Sequence, residues 1–502
     1  MEILQSLAAG FAGALTPVNL AFAFAGVVLG TAVGVLPGIG PLGAMSMLLS
    51  LTYGMPPDRA LILFAAIYYG AQYGGSTTSI LVNVPGETSS VITCLDGHQM
   101  ARQGRAGAAL AVAAIGSFVA GTLSVVGLML LAPPLAGFAL KFGPPEYFNL
   151  MLAGLLVLVL MSSGSRLKAL LMVLLGLALA TVGTDYLGIA RYTFGVPKLF
   201  GGLDMVAVIM GMFGLVEMMN ALARADATPP VRSVRMRELF PTRDEAKRSV
   251  GPIARGSVLG FFLGLLPGPV VTMSTFASYA LEKKLSRHPE RFGHGAIEGV
   301  AGPESANNAA AGGAFLPLVA LGVPFSGSTA LILGALLLAG VTPGPNFINE
   351  QSGLFWTAVA SMYIGNVMLV ILNLPLVGVF VSLLRAPPRL LIPLVLALCL
   401  IGAYAVNNSL FDVWVLIGAG LVGYGLSRYG FDLAPLVIAR VLGPQMEIAL
   451  GTSLTLSSGD PTIFVTRPIA ATIAVVVLVV AAWSFTAGWR ARRRPKRSTA
   501  HP

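Results

Sequence analysis

The chain has 502 residues, 56% hydrophobic and only 10% charged, with a formal net charge of +10 and a mean hydropathy of +0.83. A soluble protein would carry about 25% charged residues, so this composition excludes a soluble globular domain and fits a polytopic membrane protein. The basic excess sits mostly in short loops and the tail, where the positive-inside rule accounts for it, so no nucleic-acid partner is expected.

The N-terminal MEILQSLAAGFAG carries no basic n-region, and no cleavable signal peptide is expected. The first motif is Gly30-x3-Gly34-x-Leu36-Pro37-Gly38. A Pro-Gly pair breaks a helix, and at membrane depth such a break is tolerated only where it is buried in protein or lines a wet cavity. Residues 58–83 come next, running from an apolar stretch into Gly74, Gly75, Ser76, Thr77, Thr78 and Ser79, then Asn83 and Pro85. Two glycines followed by four hydroxyls predict an unwound helix. Its free N–H groups and positive dipole end would suit an anion, with Asn83 adding an amide. The plain alternative is close helix packing through small residues. Uncharged runs over 108–132, 147–163, 354–384 and 468–488 are long enough to span a bilayer.

Residues 224–255, polar and rich in Arg and Pro, read as a cytoplasmic linker. It separates a first membrane repeat (1–223) from a second (256–489), which ends in a basic cytoplasmic tail (490–502). The second repeat restates the motif as Gly260-x3-Gly264-x-Leu266-Pro267-Gly268, with Thr272 and Ser274 close behind. Free carbonyls at the two Leu-Pro-Gly tips would suit Na⁺, the plain alternative being a simple kink. Downstream lie Glu304, Asn307, Asn308, Gly312 and Gly313, then Pro324, Ser326 and Ser328. Paired asparagines can donate to a carboxylate and accept from a cation.

Charge orients the repeats. Arg243, Lys247, Arg248 and Arg255 precede the second motif, and Lys283, Lys284, Arg287 and Arg291 come after it; the flanks of the first, residues 1–20 and 52–60, contain one basic residue, Arg59. The second should therefore open to the cytoplasm and the first to the outside. The expected fold is an all-α polytopic membrane protein of two inverted-topology repeats, each with a re-entrant helical hairpin and a broken transmembrane helix. The count comes to about eleven crossings with the C-terminus inside. Among the acidic residues, Glu87, Glu304 and Asp460 lie near breaks and are candidates for cation or proton coupling, whereas Asp96 reads as part of a solvated cytoplasmic loop. Cys94, Cys399 and the four histidines show no metal-ligand spacing. Asp432 and Asp460 fall at opposite faces, against an aspartyl protease, and no nucleotide-binding loop is present. No enzyme activity and no cofactor is expected.

The segments YYGAQYGGSTTSILVNVPGE, DGHQMARQGRAG and GVAGPESANNAAAGGAFLPLVALGVP, with the paired Leu-Pro-Gly motifs, resemble the TctA family, the large membrane subunit of tripartite tricarboxylate transporters. The resemblance runs from about residue 17 to at least residue 465. It implies uptake of a citrate-like tricarboxylate or related organic acid by symport with Na⁺ or H⁺ across the bacterial inner membrane. It also implies a TctB-like small membrane subunit and a TctC-like periplasmic binding protein. The competing readings are a carboxylate carrier without a binding protein, and a non-transporting membrane scaffold or enzyme.

Overall fold

A computed structural model describes residues 2–36, 40–162, 164–223, 240–383 and 388–493. Pro37 and Gly38 of the first tip, residues 224–239 of the expected linker and residues 494–502 of the tail lie outside the described residues. The regular structure of the described residues is helical apart from one short antiparallel pairing of Gly183–Thr184 with Ala190–Arg191. Among the described residues five helices, Pro17–Val35, Ala106–Ala139, Met205–Ala223, Ser352–Asn373 and Leu410–Arg428, are long and apolar enough to cross a membrane.

Eight helices build the centre: α1 (Pro17–Val35), α2 (Pro57–Val82), α3 (Val91–Arg102), α4 (Ala106–Ala139), α5 (Arg243–Gly264), α6 (Val270–Leu285), α7 (Glu298–Gly313) and α8 (Ser352–Asn373). Local sequence sets their starts. Thr16 caps α1 and Pro17 occupies its first position; Pro57 and Asp58 open α2. Thr242 and Glu245 form a reciprocal capping box that starts α5. The helix thus begins inside the expected 224–255 linker, and its basic residues ride on its first turns.

In lipid, apolar side chains gain nothing by leaving the solvent, so helices associate through close packing of small residues. Two helix pairs do this in the same way. A β-carbon on Gly30 or Gly34 of α1 would stand 2.4 or 2.3 Å from the Ile67 or Ala71 carbonyl oxygen of α2. On α5, β-carbons at Gly256, Gly260 and Gly264 would stand 2.3, 2.3 and 2.4 Å from the carbonyl oxygens of Gly302, Ala306 and Ala310 on α7. The contacts climb in step, so each pair runs parallel. The Gly-x3-Gly part of the doubled motif is therefore a packing ladder.

The halves also match at the C-terminal ends of α2 and α7. Asn83 ends α2 in the left-handed conformation (φ 59°), with Pro85 two residues later. Gly322 does the same (φ 72°) after the short Phe315–Leu321 helix that continues α7, with Pro324 two residues later. This register places Gly74 opposite Gly313, each nine residues before its left-handed residue.

The expected unwinding at Gly74–Gly75 is corrected: α2 is continuous from Pro57 to Val82. Gly74 faces α1, where a β-carbon would meet the Thr31 carbonyl oxygen at 2.4 Å, and Gly75 leaves room for the Glu87 side chain, which a β-carbon would approach to 3.0 Å. The small-residue alternative explains them. Gly312 and Gly313 likewise lie within α7, and the amide of Ala314 still bonds to Ala310 (3.0 Å). Neither glycine pair presents free N–H groups.

Helix α5 breaks at Leu265–Pro269 and α6 runs back antiparallel to α7: Ser274 donates to the Ala306 carbonyl (3.1 Å), and Tyr279, further along, lies beside Gly299. Gly268 holds the tip with φ +129°, its amide donating to the Phe325 carbonyl (2.9 Å). The far ends are tied on one face by Arg248–Glu298 (2.8 Å), Arg255–Glu282 (2.5 Å) and a contact of Arg105 with Glu245.

Asp432 and Asp460, both exposed, flank the Ala434–Leu456 helix, whose 23 residues separate them by about 34 Å. That distance rules out a catalytic carboxylate pair.

Candidate functional site

Among the eight central helices, two are buried through nearly their whole length: α2 from Ala60 to Leu81 and α7 from Gly299 to Gly313. Both carry polar side chains, and buried polar groups must find partners. Those partners come from four neighbouring helices, which makes the centre of the molecule a polar seam.

Glu304 lies at the middle of that seam and is 1% exposed. One carboxylate oxygen accepts from the Ser76 hydroxyl of α2 and the other from the Thr93 hydroxyl of α3. The α7 helix places Asn307 and Asn308 one turn further on. Asn308 donates to Ser117 of α4 (2.6 Å), leaving its carbonyl oxygen unpartnered. Asn307 is fully buried and completes no hydrogen bond with either amide atom, although it lies against both Glu304 and Glu87. Glu87 stands over Gly75, where a β-carbon would come within 3.0 Å of its side chain, and its Oε1 is buried without a partner.

Around this centre, Tyr73 donates to Asn366 of α8 (2.7 Å). Asn366 in turn donates to the Phe118 carbonyl (2.9 Å) and Thr122 (3.0 Å) of α4. Asn373, two turns along α8, donates to Thr31 (3.4 Å). A small cavity of about 10 Å³, lined by Tyr73, Ser76, Thr77, Ser117 and Asn373 with apolar neighbours, approaches the room one water needs. The arrangement supplies hydroxyl and amide donors, amide acceptors and two carboxyl groups between helices of both halves, with no fixed cation among the described residues of the cluster.

Of the sequence-derived candidates, Ser76, Thr77, Asn307 and Asn308 are brought together here. Thr78 bonds back to the Gly75 carbonyl (3.1 Å) on its own helix. Gly312 makes room for Ser124 and the Tyr69 hydroxyl, either of which a β-carbon would strike. Asn83 is exposed and serves as the helix cap. Ser326 caps the Gly327–Leu338 helix through Thr329, and Ser328 is buried beside Tyr68. Pro267 and Gly268 form the tip against Phe325, and Thr272 meets Thr88 (3.2 Å).

Asp96 is corrected outright: it is fully buried. Its Oδ1 accepts the backbone amides of Gly293, Gly295 and Ala296 (2.9, 2.8 and 2.8 Å), and its Oδ2 accepts the Tyr279 hydroxyl (2.8 Å). It fastens α3 to the loop that leads into α7. The sequence reading missed Thr93, Ser117, Ser124, Asn366 and Asn373. For the last four the signal was spacing: Ser117 and Ser124, like Asn366 and Asn373, are seven residues apart on an apolar run, which keeps both members on one helix face.

The family model for the tripartite tricarboxylate transporter TctA family matches residues 20–438. The chain belongs to the TctA family. TctA proteins are transporters, not enzymes, and normally work with TctB and TctC partners in a tripartite system. The chain is also similar to an uncharacterized 52.8 kDa protein in the TAR-I ttuC' 3' region of Agrobacterium vitis, 50% identical over 494 residues and 98% of each chain. A second relative, an uncharacterized protein in the TAR-II ttuC' 3' region of the same organism, is 50% identical over 234 residues, covering 47% of this chain and 97% of that protein. No solved structure matches.

Proposed function

We propose that this TctA protein imports an organic carboxylate, of the citrate-like tricarboxylate class or a related acid, across the bacterial inner membrane by symport with Na⁺ or H⁺. It acts as the large membrane subunit beside a small TctB-like subunit, and a TctC-like periplasmic protein delivers the substrate. The two like-built helix pairs are the inverted repeats, and the helical hairpin at Leu265–Pro269 is re-entrant. Movement of one half against the other exposes the seam alternately to each side.

The observation that carries this reading is the buried polar seam between α2 and α7 in a chain of this family. Apolar membrane packing has no use for Ser76, Thr77, Asn307 and Asn308 at its centre, since each polar group there costs free energy until it is partnered. Their hydroxyl and amide groups can donate to substrate carboxylates, and a cotransported cation offsets the polyanion's charge.

The test is uptake of labelled carboxylates into proteoliposomes holding the membrane subunits, with and without the binding protein, under imposed Na⁺ or H⁺ gradients. Asn308→Ala should cut uptake while leaving membrane insertion intact. Gradient-independent behaviour toward every acid tried, with a matched binding protein present, sinks the proposal; normal affinity and rate in Asn308→Ala removes that residue from the site.

A further inference from the structure

Ser76 and Thr93, the hydroxyls that meet the two Glu304 oxygens, belong to the first half of the chain, whereas Glu304 belongs to the second. A hydroxyl donates to a carboxylate and accepts from a carboxylic acid. The pocket therefore holds Glu304 in either protonation state without moving a side chain. A sodium ion has no such symmetry, since it would need the hydroxyl oxygens turned toward it.

Charge around Glu304 is unbalanced. From α3, Asp96 is satisfied by three amides and Tyr279 of α6, and Cys94 is neutral and half-buried. From α6, Glu282 is paired with Arg255 of α5; Glu298, at the start of α7, is paired with Arg248 of α5. The tyrosines of α2 are neutral, and α4 contributes no titratable side chain. That leaves Glu304 and Glu87, neither ion-paired with a basic residue among those described, with the unpartnered Asn307 amide against both. A buried carboxylate without a counter-charge is costly, and a proton removes the cost.

We propose that Glu304 carries the coupling proton of this transporter. The inference rests on the carboxylate-transport reading and sharpens it by naming the ion and its group. Ionised, Glu304 repels an incoming polyanion from the Asn307–Asn308 side of the seam. Protonated from the water on the entry side, it admits the substrate, and it releases the proton on the other side once the seam has reopened there.

The experiment uses the complex with its small subunit and binding protein, reconstituted in vesicles containing the pH dye pyranine and supplied with [¹⁴C]citrate, [¹⁴C]malate or [¹⁴C]succinate. A pH gradient of about one unit sustains up to about tenfold accumulation at one proton per substrate. The wild type should approach that value with acidification of the lumen. Glu304→Gln should accumulate nothing above the outside concentration yet still exchange internal for external substrate, and Glu304→Asp should keep proton influx. Accumulation surviving in Glu304→Gln overturns the proposal, and so does its loss of exchange, which would make Glu304 structural. Wild-type accumulation driven by Na⁺ alone, with no pyranine signal, overturns it while leaving carboxylate transport standing. A wild type that takes up none of the three acids overturns the transport reading and this inference with it.

Discussion

Gly260→Ala puts the packing argument at risk directly. Its added β-carbon would stand 2.3 Å from the Ala306 carbonyl oxygen and 2.7 Å from the Ala306 α-carbon. Both are backbone atoms of α7 and cannot rotate away, so α5 and α7 must separate. Overpacking of this kind costs about 3 kcal/mol, and alanine's better helix propensity returns about 1 kcal/mol. The net loss of about 2 kcal/mol lowers the folded-to-unfolded ratio by about 30-fold. Cys399 is fully buried, so a thiol-reactive dye reports unfolding in detergent once Cys94 is replaced by alanine. The comparison is Gly418→Ala on the Leu410–Arg428 helix, where nothing lies within 4 Å of the new carbon. Gly260→Ala should unfold at clearly lower temperature than the parent, and Gly418→Ala at the same or a higher one. Equal midpoints for the two variants would refute the ladder as the basis of packing.

Asp96→Ala strips the acceptor from three backbone amides and the Tyr279 hydroxyl at once. At about 1–3 kcal/mol for each buried group left unmade, it should lower the thiol-dye midpoint more than Asp460→Ala, whose carboxylate is exposed. Arg255→Ala leaves Glu282, with a side chain 2% exposed, facing no guanidinium. The loss should fall below the about 3–5 kcal/mol of a fully buried pair, because Arg255 is 43% exposed. Adding Glu282→Gln should recover much of the midpoint, and a double variant no better than the single one would disprove the pairing argument.

Much of the site could be read from residue chemistry. Ser76, Thr77, Asn307 and Asn308 are conspicuous because polar side chains in apolar runs need partners, and the structure gathers all four. The glycines misled for a physical reason: Gly74–Gly75 and Gly312–Gly313 have the same composition whether they unwind a helix or let another helix approach, and only the neighbouring helix decides. Thr93, Ser117, Asn366 and Asn373 stayed hidden because each is ordinary within its own segment and gains meaning from a helix far along the chain.

Hydropathy and charge by themselves determined a helical membrane protein, since a bilayer admits few other forms of satisfied backbone, and the doubled Gly-x3-Gly-x-Leu-Pro-Gly motif pointed to two related halves. Tertiary structure decided what the shared motif does. Gly-x3-Gly became a close-packing ladder, with Gly268 folded onto Phe325 at the described tip. It also turned Asp96 from a loop charge into a buried fastening and set Glu304 between hydroxyls of the other half. Those outcomes depend on which backbone stands opposite, a distance no local sequence pattern contains.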